Sequence, residues 1–252
     1  MSVDPPTLSK AERLLWDYGV AQPAHIDLEA IAFDLNALVR YRRLDGCEAR
    51  IVVNGERALI SVNEKSPVGR RRFSLAHELA HWIRDRSSFQ CVGDDIGPQN
   101  AEARNAESAA NEFASQLVLP DYLVNPWIER KTVSLDTAAA LATDFKVSLT
   151  AAAIKLVKRS AAPAVVACYS QTRLRWFRKN RAFPAEYFLV NELHAETDAL
   201  SLVFGGTSGL SRTKDEPAHR WFTGPDVFRI AVRSQSVKLP EGDVLTVIGF
   251  AR

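Results

Sequence analysis

Little in this sequence ties it to a membrane, an oxidising compartment or a polyanion. No apolar run approaches the ~20 residues needed to cross a bilayer as a helix. Only 3 cysteines occur, Cys47, Cys91 and Cys168. They are odd in number and far apart, so no disulfide framework is implied. No CxxC pair is present to suggest a thiolate zinc site. The segment Met1–Lys10 holds two prolines and no apolar stretch, so no secretory leader is expected there. The formal net charge is +2, too small to mark a nucleic-acid-binding or acid-binding surface by itself. These absences together predict a protein of the cytoplasm, where thiols stay reduced.

What is present is an ordinary globular composition. Apolar residues make up 46% and charged residues 25%, enough to build a buried core. The hydrophobic pattern predicts helices over 8–19 and over 27–38, the second opened by Asp27 as N-cap. The period then changes. Residues 50–53 and 58–62 are rich in Ile, Val and Leu, and Asn54-Gly55 between them signals a hairpin. Helices follow over about 71–84 and 99–118, separated by a polar loop around 93–98. A pair of short helices is expected over 134–159, with Ser134 and Ser148 as N-caps. Beyond the linker Ala161-Ala162-Pro163 the pattern is mostly strand, at 164–169, 174–177, 187–190, 200–204, 227–232 and 244–250.

The chemistry sits in His77-Glu78-Leu79-Ala80-His81. On a helix, positions i and i+4 share a face, so both imidazoles can reach one metal ion. Phe73, Ala76, Ala80 and Ile83 supply the apolar side of that helix. HExxH is the pattern of zinc hydrolases, in which the metal acidifies a water and the glutamate takes its proton. With 5 histidines and 15 glutamates in 252 positions, chance would produce the pattern in roughly 0.6% of such chains. The bland alternative is a helix with two surface histidines and a solvated glutamate.

Zinc hydrolases generally use three protein ligands and leave a position for water. A metzincin ligand is excluded, because Arg84 and Ser87 stand where its glycine and third histidine belong. His25, His194 and His219 lie in unrelated segments and read as ordinary histidines. Glu107 is the better candidate. Ala103, Glu107, Ala110, Ala114 and Leu117 form one helical stripe, and Glu107 is its only charge. A carboxylate on a buried stripe is costly unless paired or metal-bound. Pairing with Arg104 is the alternative. Asn111, one turn beyond Glu107, is read either as a group orienting a ligand or as a plain packing amide.

Arg72-Phe73-Ser74-Leu75-Ala76-His77-Glu78-Leu79-Ala80-His81, with Glu107-Ser108-Ala109-Ala110-Asn111-Glu112-Phe113-Ala114 and Leu117-Val118-Leu119-Pro120, resembles the ImmA/IrrE family of metallopeptidases. In that family the third zinc ligand is the glutamate four residues before this asparagine, here Glu107. The preceding Ile60-Ser61-Val62-Asn63 is also similar to the family pattern. The resemblance implies a Zn2+ site on His77, His81 and Glu107, with Glu78 as the catalytic base. It implies cleavage of a helix-turn-helix transcriptional repressor encoded nearby, in response to stress or mobile-element signals. It also implies a GAF-like, sensory ending, which the strand-rich residues 163–252 allow.

The expected fold is therefore α+β: a zincin-like helical domain with a small β-sheet, a helical pair and a β-rich C-terminal domain. The expected boundaries are 1–125 for the zinc peptidase domain, 126–160 for a helix-turn-helix-like subdomain and 163–252 for the third. The rival reading is a DNA-binding regulator or toxin–antitoxin component with a degenerate peptidase fold. Against it, the second helix of the pair begins Leu149-Thr150-Ala151-Ala152-Ala153-Ile154, which offers almost nothing to read base edges. Arg70-Arg71-Arg72 reads as a solvated helix start, and Trp176, Phe177, Trp221 and Phe222 read either as the lining of a ligand pocket or as strand-core aromatics.

Overall fold

A computed structural model of the chain describes residues 7–84, 101–205 and 209–250, and for 101–104 the backbone alone. The chain is mixed α+β, as expected, and divides into two compact units. The first comprises Met1–Trp127 with Thr143–Ser148, and the second Ile128–Ala142 with Leu149–Arg252. The polar loop expected at 93–98, the start of the fourth helix at Gln99, and Cys91 lie outside the described residues. Among the described residues no helix is long and apolar enough to cross a membrane.

The first unit opens with α1 (Lys10–Asp17), held by a capping box in which Ser9 and Glu12 bond each other's backbone N–H. Helix α2 (Leu28–Asp34) is capped by Asp27, whose side chain accepts from Ala30 N–H at 2.9 Å. The sequence pattern carries this helix to residue 38, but it stops at Asp34. Asn36 takes φ 61°, a left-handed conformation that asparagine tolerates and a helix does not continue through. Residues 37–42 then form β1 (Ala37–Arg42), a strand that the sequence pattern missed.

Strands β2 (Ala49–Asn54) and β3 (Arg57–Asn63) make the expected hairpin. Its two loop residues are Gly55 and Glu56 rather than Asn54 and Gly55, since Asn54 pairs with Arg57 and Gly55 supplies the positive φ of 59°. Strand β1 pairs parallel to β3, giving the order β1-β3-β2. Ala58, Ile60 and Val62 of the central strand face the core, and α3 (Val68–Arg84) packs on β3 and β2 from that side. Helix α3 in turn packs on α4 (Ala101–Val118). Leu75, Ala76, Leu79 and Ala80 meet Ala110, Ala114 and Leu117 in a core where all seven are fully buried.

Two contacts lock these helices. Glu12, only 5% exposed, accepts from the backbone N–H of Asp121 at 2.7 Å and of Tyr122 at 3.3 Å, so it caps α5 (Asp121–Ile128) as well as α1. Glu12→Ala removes a buried charge-assisted acceptor from two helix starts at once. It should cost about 2–4 kcal/mol in denaturant unfolding, given ~1.5–3 kcal/mol for a hydrogen bond to a charged group. The second contact is at Gly69, near the start of α3. A Cβ there would lie 2.4 Å from the backbone nitrogen of Ser148 and 2.5 Å from the carbonyl carbon of Val147. Gly69→Ala gains the helix up to ~1 kcal/mol of propensity but collides with main chain that cannot swing aside. The net result should be a lower melting temperature, readable by circular dichroism.

The helical pair is present as α6 (Leu135–Phe145) and α7 (Leu149–Arg159). Ser134 Oγ accepts from Thr137 N–H at 3.1 Å, the N-cap bond expected of it. Lys146, at φ 53°, turns the chain between the two helices.

The second unit is built on an antiparallel sheet of β4 (Ala164–Tyr169), β5 (Leu174–Lys179), β7 (Lys214–Pro217), β9 (Ala231–Lys238) and β10 (Val244–Phe250), in the order β5-β4-β10-β9-β7. A two-stranded ribbon, β6 (Phe188–Leu189) with β8 (Phe222–Thr223), accompanies it. Every residue of β4 is buried. Val165, Ala167 and Tyr169 join Trp221, Phe222 and α8 (Asp198–Phe204) in one core, while α7 packs on β4, β5 and β10. Cys168 is among the buried residues, and burial pushes its thiol up to about 11, so it stays protonated and unreactive.

Two strand expectations fail in this unit. Residues 198–204 form α8, because Thr197 Oγ1 caps Leu200 N–H at 3.3 Å and commits the apolar run to a helix. The strand expected at 227–232 starts only at Ala231, after a turn in which Asp226 takes φ 52°.

Candidate metal centre

Helix α3 offers His77 and His81 one turn apart, and α4 offers Glu107 from across the interface. The interface that brings them together is the alanine-lined contact between the helices. Side chains no larger than methyl at Ala76, Ala80, Ala110 and Ala114 let the two axes approach closely. His81 is buried at 5% exposure, and Glu78 at 3%.

The three predicted ligand groups converge, with each carboxylate oxygen of Glu107 facing one imidazole. His77 Nε2 and His81 Nε2 are 3.1 Å apart. Glu107 Oε2 is 3.2 Å from the first and Oε1 is 3.2 Å from the second. Ligands at zinc's ~2.0–2.2 Å in a tetrahedral arrangement would stand ~3.3–3.6 Å from each other, slightly wider than these spacings, so a small outward shift of the side chains would admit such an ion. Among the described residues, this is the one group of three such side chains whose ligand atoms converge. Two imidazoles and a carboxylate are also a donor set that suits zinc.

His77 has a partner on its other nitrogen. Nδ1 lies 3.1 Å from Asn111 Oδ1. An amide oxygen only accepts, so Nδ1 carries the ring proton and Nε2 keeps its lone pair toward the site. Glu107 is less enclosed than the stripe argument supposes. Its side chain is 40% exposed, although Ala110, Ala114 and Leu117 on the same stripe are fully buried. The stripe thus locates the right face, while the expected cost of burying the carboxylate is mostly absent because Glu107 sits at the mouth. Glu112 is solvent-exposed, and the side chains of Glu102, Ala103 and Arg104 lie outside the described residues.

Glu78 follows His77 and stands three residues before His81, so it neighbours His81 on the helix surface. Arg84, which the sequence reading gave no functional role, donates from Nη1 to the carbonyl of Ala106 at 3.5 Å, tying the end of α3 to the turn that carries Glu107. An exposed arginine in a last helical turn gives no sequence signal of such a role. Upstream, Arg72 donates to Ile26 O at 3.2 Å, and its burial lowers its pKa from the ordinary arginine value. Arg71 lies over the Tyr41 ring at 5.5 Å. The triple arginine is therefore partly structural rather than simply solvated.

The remaining histidines do not join the group. His25 contacts Gln22, and His194 packs edge-on against His219 in the second unit. Trp221 and Phe222 are core residues. Phe177 instead lines a cavity of about 150 Å³ with Val165, Phe183, Tyr187 and Phe188.

A family model described as the IrrE N-terminal-like domain, peptidase M78, matches residues 32–157, a span that contains β1–β3 and His77, Glu78, His81 and Glu107. Comparison with curated proteins finds no match. Among solved structures, a Mycobacterium tuberculosis transcriptional regulator shares the fold with a TM-score of 0.61 at 14% sequence identity. The match covers 95% of this chain and 74% of that one. On the family model's span, the chain belongs to the peptidase M78 family of IrrE N-terminal-like domains.

Proposed function

We propose that this protein is a cytoplasmic zinc endopeptidase that cleaves a helix-turn-helix transcriptional repressor and so relieves repression in a stress or mobile-element response. The observation that carries this reading is the convergence of His77 and His81 of α3 with Glu107 of α4, at 3.1 and 3.2 Å, beside the buried Glu78 of α3. Bound zinc would supply a Lewis acid that polarises the scissile carbonyl and acidifies the attacking water. His77 and His81 present Nε2 as ligands, and Glu107 presents its carboxylate. Glu78 accepts the proton of the attacking water and passes it to the leaving amide nitrogen. The substrate lies extended along the free edge of β2, the outer strand of the sheet against which α3 packs, and adds a strand there. Residues 1–125 carry the chemistry, 126–160 form a helical subdomain, and 163–252 sense the signal.

The test is to incubate the zinc-loaded protein with the repressor encoded nearby and to follow fragments by mass spectrometry. One cut within or just after the DNA-binding region is expected, with casein cut poorly, because specificity comes from docking a folded partner. Intact repressor after incubation, with zinc bound and in extract from stressed cells, would refute the reading.

Two further results are expected. Asn111→Ala should weaken zinc binding about 10–100-fold in competition with a chromophoric chelator, the usual effect of losing a group that orients a metal-bound histidine. Duplex DNA should bind weakly and without sequence preference. In α7 the residues Ala152, Ala153, Lys155, Leu156 and Val157 are buried, and Thr150, Ala151 and Ile154 on the partly exposed side offer little to read base edges. A footprint at physiological salt without the repressor would show otherwise.

A further inference from the structure

The three-stranded sheet of the first unit has two faces, and the described helices cover only one. Val39 and Tyr41 of β1 point to the helical side, where Tyr41 donates to Glu29 of α2 and stacks under Arg71 of α3. The alternate residues point the other way and are exposed along both outer strands. Register places them in rows. Leu38, Leu59 and Val52 align across the three strands. The next row is Arg40, Ser61 and Arg50, and the next begins with Arg42 and Asn63.

The first row is apolar and open. Leu38 is 49% exposed and Val52 is 54% exposed. It spans two strand spacings, ~10 Å, which is the width of one α-helix with its side chains. The second row is basic. Ser61 is 1% exposed between the two arginines, while Arg40 and Arg50 are themselves exposed. Among the described residues, no carboxylate forms an ion pair with Arg40, Arg42 or Arg50. The one acidic residue at the end of these rows is Glu48, whose carbonyl accepts from Asn63 N–H, and its carboxylate is engaged by Ser66 and Arg70.

We propose that this outer sheet face docks an amphipathic helix of a protein partner, with an apolar stripe on the Leu38–Leu59–Val52 row and Asp or Glu side chains on Arg40, Arg42 and Arg50. A helix laid there completes the sandwich that α2 and α3 begin on the other face, since a sheet is most stable with both faces covered. Charge complementarity selects the partner. A second copy docked by the same face would set arginine against arginine, which disfavours a symmetric dimer. Single-stranded nucleic acid is less suited, because the rows carry no aromatic ring on which a base can stack. The inference does not depend on zinc or on cleavage.

The experiment uses the full chain and a fluorescent 20-residue helical peptide with leucines at i, i+3, i+4 and i+7 and glutamates flanking them. Anisotropy should show saturable binding that falls at least tenfold for Arg40→Glu/Arg50→Glu and for Val52→Asp. It should not change for Arg178→Glu/Arg181→Glu, which makes the same change in net charge on the second unit. Zinc content and melting temperature of each variant separate loss of the face from loss of the fold. Absence of binding by the wild type overturns the proposal, as does an equal loss in the control variant. Tighter binding of a 20-nucleotide single strand, lost in the same variants, assigns the face to nucleic acid instead. A dimer in sedimentation that Val52→Asp dissociates assigns it to a second copy.

Discussion

Glu78→Gln is expected to fold and to hold zinc like the wild-type protein, yet to cut its substrate about 10²–10⁴-fold more slowly. The exchange is nearly isosteric, and Glu78 is only 3% exposed, so the amide fills the same space and opens no cavity. What it removes is a carboxylate able to accept a proton at neutral pH. The two histidines and Glu107 keep their positions, because Leu75, Leu79, Ala110 and Leu117 hold α3 against α4 independently of Glu78. Single-turnover cleavage of the repressor, followed beside zinc content and melting temperature, separates the two effects. Equal rates for variant and wild type would show that Glu78 is not the base and that another group carries the proton.

The helical half of the site was legible because helices announce faces. His77 and His81 at i,i+4, and Glu107 on the stripe with Ala110, Ala114 and Leu117, are linear patterns that survive into three dimensions. What the spacing leaves open is depth: the stripe places Glu107 on the inward face but not at its open end, where 40% of its side chain remains exposed. The Asn111–His77 hydrogen bond is a contact across two helices, and no local pattern specifies its partner.

The misread elements have local causes. Residues 37–42 look like a continued helix until Asn36 adopts its left-handed turn, and β1 is then stabilised by pairing with β3, which lies more than a dozen residues away. Residues 200–204 are a short apolar run that suits either period, and the cap at Thr197 decides for α8. In both cases one capping or turn residue outweighs the apolar pattern that follows it. The sheet order β5-β4-β10-β9-β7 places the first and last strands of the second unit side by side, a non-local pairing that no window of sequence contains.

Replacing His77, His81 or Glu107 by Ala should abolish stoichiometric zinc, from about one ion per chain in the wild type. Each change deletes one of the three ligand groups. The loss in affinity should exceed the ~10–100-fold that removing an orienting group costs, since a direct ligand is lost. The variants should still fold. The contact between α3 and α4 is made by Leu75, Ala76, Leu79, Ala80, Ala110, Ala114 and Leu117, all fully buried, so it does not need an ion to form. Zinc binding to the native state alone stabilises it by ~2.7 kcal/mol at a hundredfold excess over Kd, so wild-type protein should melt higher with zinc than with chelator. In the three variants that difference should vanish while the chelator melting temperature of Glu107→Ala stays near that of the wild type, its side chain being partly exposed. His81→Ala should melt lower in both conditions, because it also empties a buried position. Metal analysis by mass spectrometry and paired thermal melts decide the matter. If Glu107→Ala keeps full zinc and its zinc-dependent melting shift, while Glu102→Ala loses both, the third ligand is Glu102 and the convergence of Glu107 on the histidines is a hydrogen-bonded cluster.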